Sequence, residues 1–223
     1  MKSFFLSAAV FVMVGMAPLS AWAASCALDP FPKVQVKVLD PKERLSTSRS
    51  LKQINSSAQG HGAVGKGKVA LGTTESRVST DMRIQFQWRK KYVGSGSPVC
   101  VQVKSITANF GHSKLVVNLP REYKRGSCQY KVVYRHEMAH VQVNRNGVRK
   151  YGALLRFEII QELQRSLIVE ATTMSRGTQI FQKRLKSVME KITKRFNQEI
   201  KMLHGKIDAP NSPYAAKGTC RSW

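Results

Sequence analysis

Apolar residues fall in several distinct patterns along this chain, and those patterns place its elements. An unbroken apolar run fills residues 4–16, directly after Lys2. Residues 33–39 (Lys-Val-Gln-Val-Lys-Val-Leu) alternate polar and apolar, the two-residue period of a half-buried strand. Further strand-like runs cover residues 82–88, with Ile84, Phe86 and Trp88 on one face, residues 99–110, with Val101, Val103 and Ile106, and residues 115–119, closed by Pro120. Residues 94–98 and the triplet Gly111-His112-Ser113 are expected as the connecting turns, which would put His112 in solvent. From residue 148 the period becomes helical. Tyr151, Leu154, Leu155, Ile159, Leu163 and Leu167 mark one helix over about 148–172, and Phe181, Leu185, Val188, Ile192, Phe196, Ile200 and Leu203 mark another over about 178–205. Thr172, Thr173, Ser175 and Gly177 break them into a helical hairpin whose stripes read as core. Residues 45–80 are rich in Ser, Gly, Thr and Lys with a helical hint only at 51–54, so a long irregular arm is expected there. The tail from Asp208, with Pro210 and Pro213, reads as a covering segment.

Between the strands and the hairpin stands Tyr134-Arg135-His136-Glu137-Met138-Ala139-His140-Val141, a complete H-E-x-x-H. Residues four apart lie above one another on a helix, so His136 and His140 can offer two imidazole nitrogens to one tetrahedral zinc. Glu137 beside them is placed to take a proton from an attacking water. Val132, Val133, Ala139, Val141 and Val143 favour a helix here, and Asn144-Arg145-Asn146-Gly147 predicts its end. The bland reading is a chance match on a basic helix. The elements together predict an α+β, zincin-like domain: a small antiparallel sheet, the H-E-x-x-H helix, then a long C-terminal helical hairpin.

A catalytic zinc takes a third protein ligand. Val143 and Asn146 exclude the extended motif with a third His six residues further on. A hairpin turning near residue 176 returns the end of its second helix to the motif helix, which nominates His204 as third ligand. Glu158 and Glu162 approach only if the helices cross steeply, Glu170 lies about 30 Å away along the hairpin at about 1.5 Å per residue, and Glu199 is a substitute or supporting group. Glu158 and Glu162 have the plainer alternative of pairing with Arg156 and Arg165.

Composition sets the compartment. Lys2, the apolar run and Ala21-Trp22-Ala23 read as a secretory signal over residues 1–24, leaving residues 25–223 as one domain, periplasmic or secreted. Ala23-Ala24-Ser25-Cys26 is only a distant match to a lipidation site, lacking the usual leucine three residues before the cysteine. Four cysteines in an exported chain imply disulfides, expected as Cys100–Cys128 around one β region and Cys26–Cys220 joining the ends. The net charge of +24 suits an anionic cell-envelope surface. Nucleic acid is a weaker partner, because no basic segment is interleaved with aromatics. Residues 60–67 (Gly-His-Gly-Ala-Val-Gly-Lys-Gly) nearly spell a phosphate-binding loop, but Gly67 stands where a magnesium-binding hydroxyl is needed, which excludes a nucleotide.

The order of several of these features resembles a family of bacterial predicted secreted zinc-dependent proteases. The resemblance rests on residues 66–74 with Gly67 and Gly72, the strand ending at Trp88, Cys100 opening a strand, Asn118-Leu119-Pro120-Arg121, His136-Glu137-x-x-His140 and the late His204-Gly205. The apolar Ile200-Lys201-Met202-Leu203 departs from it. The reading is thus an exported zinc metallopeptidase acting on a peptide or protein substrate: His136, His140 and His204 hold Zn2+, Glu137 is the general base, and Tyr151, Tyr214 and Arg135 are candidates to steady an oxyanion. Its rival is a non-enzymatic basic envelope-binding protein with a structural or vestigial metal site.

Overall fold

The computed structural model describes residues 26, 31–60, 69–216, 220, 221 and 223. The expected signal segment and most of the loop resembling a phosphate-binding motif lie outside them. The chain is α+β, in the order β1 (Lys33–Leu39), β2 (Arg44–Ser46), α1 (Leu51–Gly60), β3 (Thr73–Lys90), β4 (Val99–Asn118), α2 (Cys128–Arg165), β5 (Ile168–Ala171) and α3 (Met174–Ile207). The sheet is mixed rather than antiparallel. β4 is its axis: antiparallel β3 runs the whole length of one side, while antiparallel β5, parallel β1 and parallel β2 follow one another along the other.

The turn expected at Gly111-His112-Ser113 is strand. The apolar alternation does change phase there, and again near residue 104, but each break is a β-bulge: pairing with β3 skips Lys104 and Ser113 while the strand continues. A bulge inserts one residue and so returns the apolar set to the same face. Val101 and Val103 on one side of the first bulge, and Ile106, Ala108 and Phe110 on the other, consequently share one core. His112 is carried inward with them, 2% exposed rather than in solvent.

The helices differ from expectation in the same way. α2 does not stop at residues 144–147; it is one helix of 38 residues. Gly147 faces α3, where a Cβ would press on Ile200 and Phe196, so this glycine permits close helix approach and is no terminator. Gly147→Val is expected to lose about 1–3 kcal/mol by overpacking this contact, read as a lower Tm. The break in the hairpin is longer than expected, since residues 166–173 leave the helices and supply β5. The irregular arm likewise contains ordered elements, α1 and the first half of β3.

α2 and α3 run antiparallel across one face of the sheet, their Val148, Leu155, Ile159, Leu185, Ile192 and Phe196 packing on the β4 residues above. A second core joins Leu115, Val117 and Leu119 at the end of β4 to Val133 and Val141 of α2, which fixes the motif segment of the helix against the sheet.

Both cysteine pairings differ from expectation. The disulfides are Cys26–Cys100 and Cys128–Cys220. Cys100 opens a 20-residue strand and Cys128 follows its far end, so at about 3.3 Å per residue they are separated by the length of the sheet. Two short strands in place of β4 would have brought them together. Among the described residues no helix is long and apolar enough to cross a membrane.

Candidate metal centre

Ser127 caps α2 by accepting from the Tyr130 N–H, and Val133 and Val141 bury the side of the helix that meets β4. His136 and His140 then stand one above the other, their ring centroids 4.8 Å apart. Opposite them comes the end of α3. His204 and its C-cap Asp208 are also four residues apart, so a second pair on one helix face meets the first.

The donor atoms converge. His136 Nε2 and His140 Nε2 are 3.1 Å apart, and Asp208 Oδ1 lies 3.2 Å from the first and 3.1 Å from the second. In a tetrahedral zinc site with bonds of about 2.0–2.1 Å, ligand atoms stand about 3.3 Å from one another, so this triangle is close to the size required. The outer partners fit as well. His136 Nδ1 donates to the Tyr214 carbonyl at 3.0 Å, an acceptor that can only receive, which leaves Nε2 of the neutral ring with its lone pair toward the cluster. His140 Nδ1 meets His204 Nδ1 at 2.8 Å. Burial, with His140 beside it, holds His204 down to about 4, so at neutral pH it is an uncharged ring able to accept the His140 proton. That tautomer also frees His140 Nε2. A set of two imidazole nitrogens and one carboxylate, with Asp208 half-exposed on the open side, is able to hold a metal ion.

His204 thus stands elsewhere than the expected third position. It is the partner behind His140, and Asp208 completes the triangle. Asp208 follows His204 by one helical turn; with the helix expected only to about residue 205 and Asp208 expected in the covering tail, the sequence did not bring it to the cluster. The acidic alternatives are engaged elsewhere. Glu158 pairs with Lys191 and Arg195, Glu162 with Arg165 and Arg184, Glu170 with Lys91, and Glu199 with Lys150 and the Tyr151 hydroxyl. Tyr151 is therefore buried away from the cluster, Arg135 is exposed, and Tyr214 contributes its carbonyl.

Glu137 is 3% exposed and points toward β3, where the Thr74 hydroxyl donates to its Oε2 at 2.8 Å. Gly72 makes the room: a Cβ there would lie 2.9 Å from Glu137 Oε1 and 2.7 Å from Val133. Burial pushes the Glu137 carboxyl above its ordinary value, against the opposing pull of His140, His136 and the Thr74 hydrogen bond. Asp208 moves the other way. Burial works against its charge, but the hydrogen bonds of His136 and His140 outweigh it and hold the carboxyl below the usual carboxylate range. Burial likewise opposes a charge on His136, yet Asp208 and Glu137 raise it.

No protein-family model, curated protein or solved structure matches this chain.

Proposed function

We propose that the protein is an exported zinc-dependent hydrolase of peptide bonds, zincin-like in the relation of its motif helix to the sheet. The observation that carries the reading is the convergence of His136 Nε2, His140 Nε2 and Asp208 Oδ1 within 3.2 Å of one another, with a buried carboxylate next in sequence. A zinc ion held by these residues would supply a Lewis acid for the scissile carbonyl and lower the pKa of a bound water. Tyr214 and His204 keep the two imidazoles in their ligating tautomers. Glu137, its carboxyl raised above the ordinary value by burial, takes the proton of the attacking water and returns it to the leaving amine, while Thr74 and the space left by Gly72 fix its carboxylate. Two disulfides agree with an oxidising compartment.

The test pairs metal content with turnover. The purified protein is expected to carry one zinc per chain and to cleave an unstructured protein such as casein. Chelation should stop cleavage and zinc should restore it. A protein that takes up no zinc, even when zinc is added, would sink the reading.

A further inference from the structure

The end of the molecule remote from the metal cluster has a different surface. The connection between β3 and β4 projects past the sheet, carrying Tyr92, 48% exposed, and Val93, 106% exposed. Trp88, on the same strand face as the core residue Phe86, is 47% exposed. Val99 of β4 has Lys90 and Ala171 as its lateral partners, so the first residues of α3 leave the sheet at this same end and add the exposed Met174 and Arg176. None of these apolar groups is needed to shape the turn. The Lys91 N–H donates to the Pro98 carbonyl, the Tyr92 N–H to Ser97 Oγ, and Gly94 and Gly96 take the positive φ angles of 130° and 76°. Glu170, a carboxylate at this end, is neutralised by Lys91 at 2.8 Å.

We propose that this tip docks on an anionic lipid bilayer. Val93, Tyr92 and Trp88 enter the headgroup region, and Lys90 and Arg176 meet the lipid phosphates. Aromatic side chains favour the interface because one end is apolar and the other polar, and nearby cations are drawn to an anionic leaflet. The chain's net charge of +24 supplies the long-range attraction. An aliphatic residue at the apex favours lipid over nucleic acid, whose single strands are held by stacking on aromatics along a basic groove. Thr74 lies at Glu137 and Tyr92 lies 18 residues further on, so the tip stands roughly 50–60 Å along the strand direction from the metal cluster. Docking would hold the cluster clear of the bilayer, and it does not depend on the hydrolase reading.

A chain beginning at Ser25 retains every described residue and has Trp88 and Trp223 as its tryptophans. Trp223 rests near Tyr123, away from the tip, and Trp223→Phe leaves Trp88 as sole reporter. With vesicles of phosphatidylcholine and phosphatidylglycerol, its emission should shift to the blue and the protein should sediment with them. Val93 buries nothing, so Val93→Asp leaves the fold intact and should weaken co-sedimentation by about tenfold or more. Sedimentation without a Trp88 shift, or equal sedimentation of Val93→Asp, would reduce the effect to general charge attraction and overturn the proposal. Equal binding to phosphatidylcholine alone would remove the cationic contacts from it. A Trp88 shift produced by single-stranded RNA and not by vesicles would make the tip a nucleic-acid contact instead.

Discussion

Asp208→Ala is expected to abolish zinc uptake, whereas His204→Ala should only weaken it. Asp208 supplies an atom at 3.1–3.2 Å from both imidazole nitrogens, while His204 touches the cluster only through the far nitrogen of His140. Loss of an outer partner of this kind costs about 10–100-fold in metal affinity. Asp208→Ala should exceed that range and His204→Ala should fall within it, as measured by competition with a chromogenic chelator. The reverse order would return His204 to the first position. The pH dependence follows from the same geometry. His136 is raised above its ordinary value in the metal-free protein, so its bond to Asp208 contributes stability in full below the unfolded histidine value and loses it as pH rises through the raised one. Asp208, held low, contributes above its unfolded value and loses that contribution only as pH falls through its still lower folded one. Between those limits zinc must displace the His136 proton. Apparent zinc affinity should therefore fall about tenfold per pH unit below the raised His136 value.

The motif pair His136 and His140 was legible because its chemistry is local: four residues on one helix suffice to align two rings. The approach of residue 204 was legible too, since two long amphipathic stripes joined by a short break must return antiparallel. Asp208 was not, because assigning it requires the exact end of α3, and Gly205 in an exposed last turn gives no stop. β4 misled for a physical reason. A bulge and a turn both interrupt the alternation of apolar residues, and Gly111-His112-Ser113 has the composition of a turn; only β3, which pairs with β4 on both sides of the skipped Ser113, distinguishes the two. Splitting that strand then displaced the cysteine pairing. Gly147 is the helical counterpart, a glycine whose missing side chain serves packing against α3. Thr74, 63 residues from Glu137, and Gly72 just before it shape the Glu137 pocket, and neither carries a sequence signal of that role.

Glu137→Gln is expected to leave zinc and fold in place and to remove turnover. The amide has the size of the carboxylate, so the pocket made by Gly72 still admits it, and its oxygen still accepts from the Thr74 hydroxyl. What it lacks is a basic lone pair for the proton of the attacking water. A positioned general base contributes about 10²–10⁴-fold, and kcat/KM should fall by that amount with metal content unchanged. Stability gives a second, independent sign. The Glu137 carboxyl is raised by burial, so in the metal-free wild type its contribution is best below the unfolded glutamate value and declines as pH rises toward the raised one. A neutral amide does not share that decline. Metal-free Glu137→Gln should therefore match the wild type in Tm at acid pH and exceed it near neutrality. Thr74→Val separates positioning from chemistry: the base remains but its anchor is gone, so kcat should drop less than in Glu137→Gln and the acid limb of the pH–rate profile should move up, the Thr74 bond no longer favouring the carboxylate. If Glu137→Gln hydrolyses casein at the wild-type rate with zinc bound, Glu137 is not the base, and its buried carboxylate serves only to tie α2 to β3.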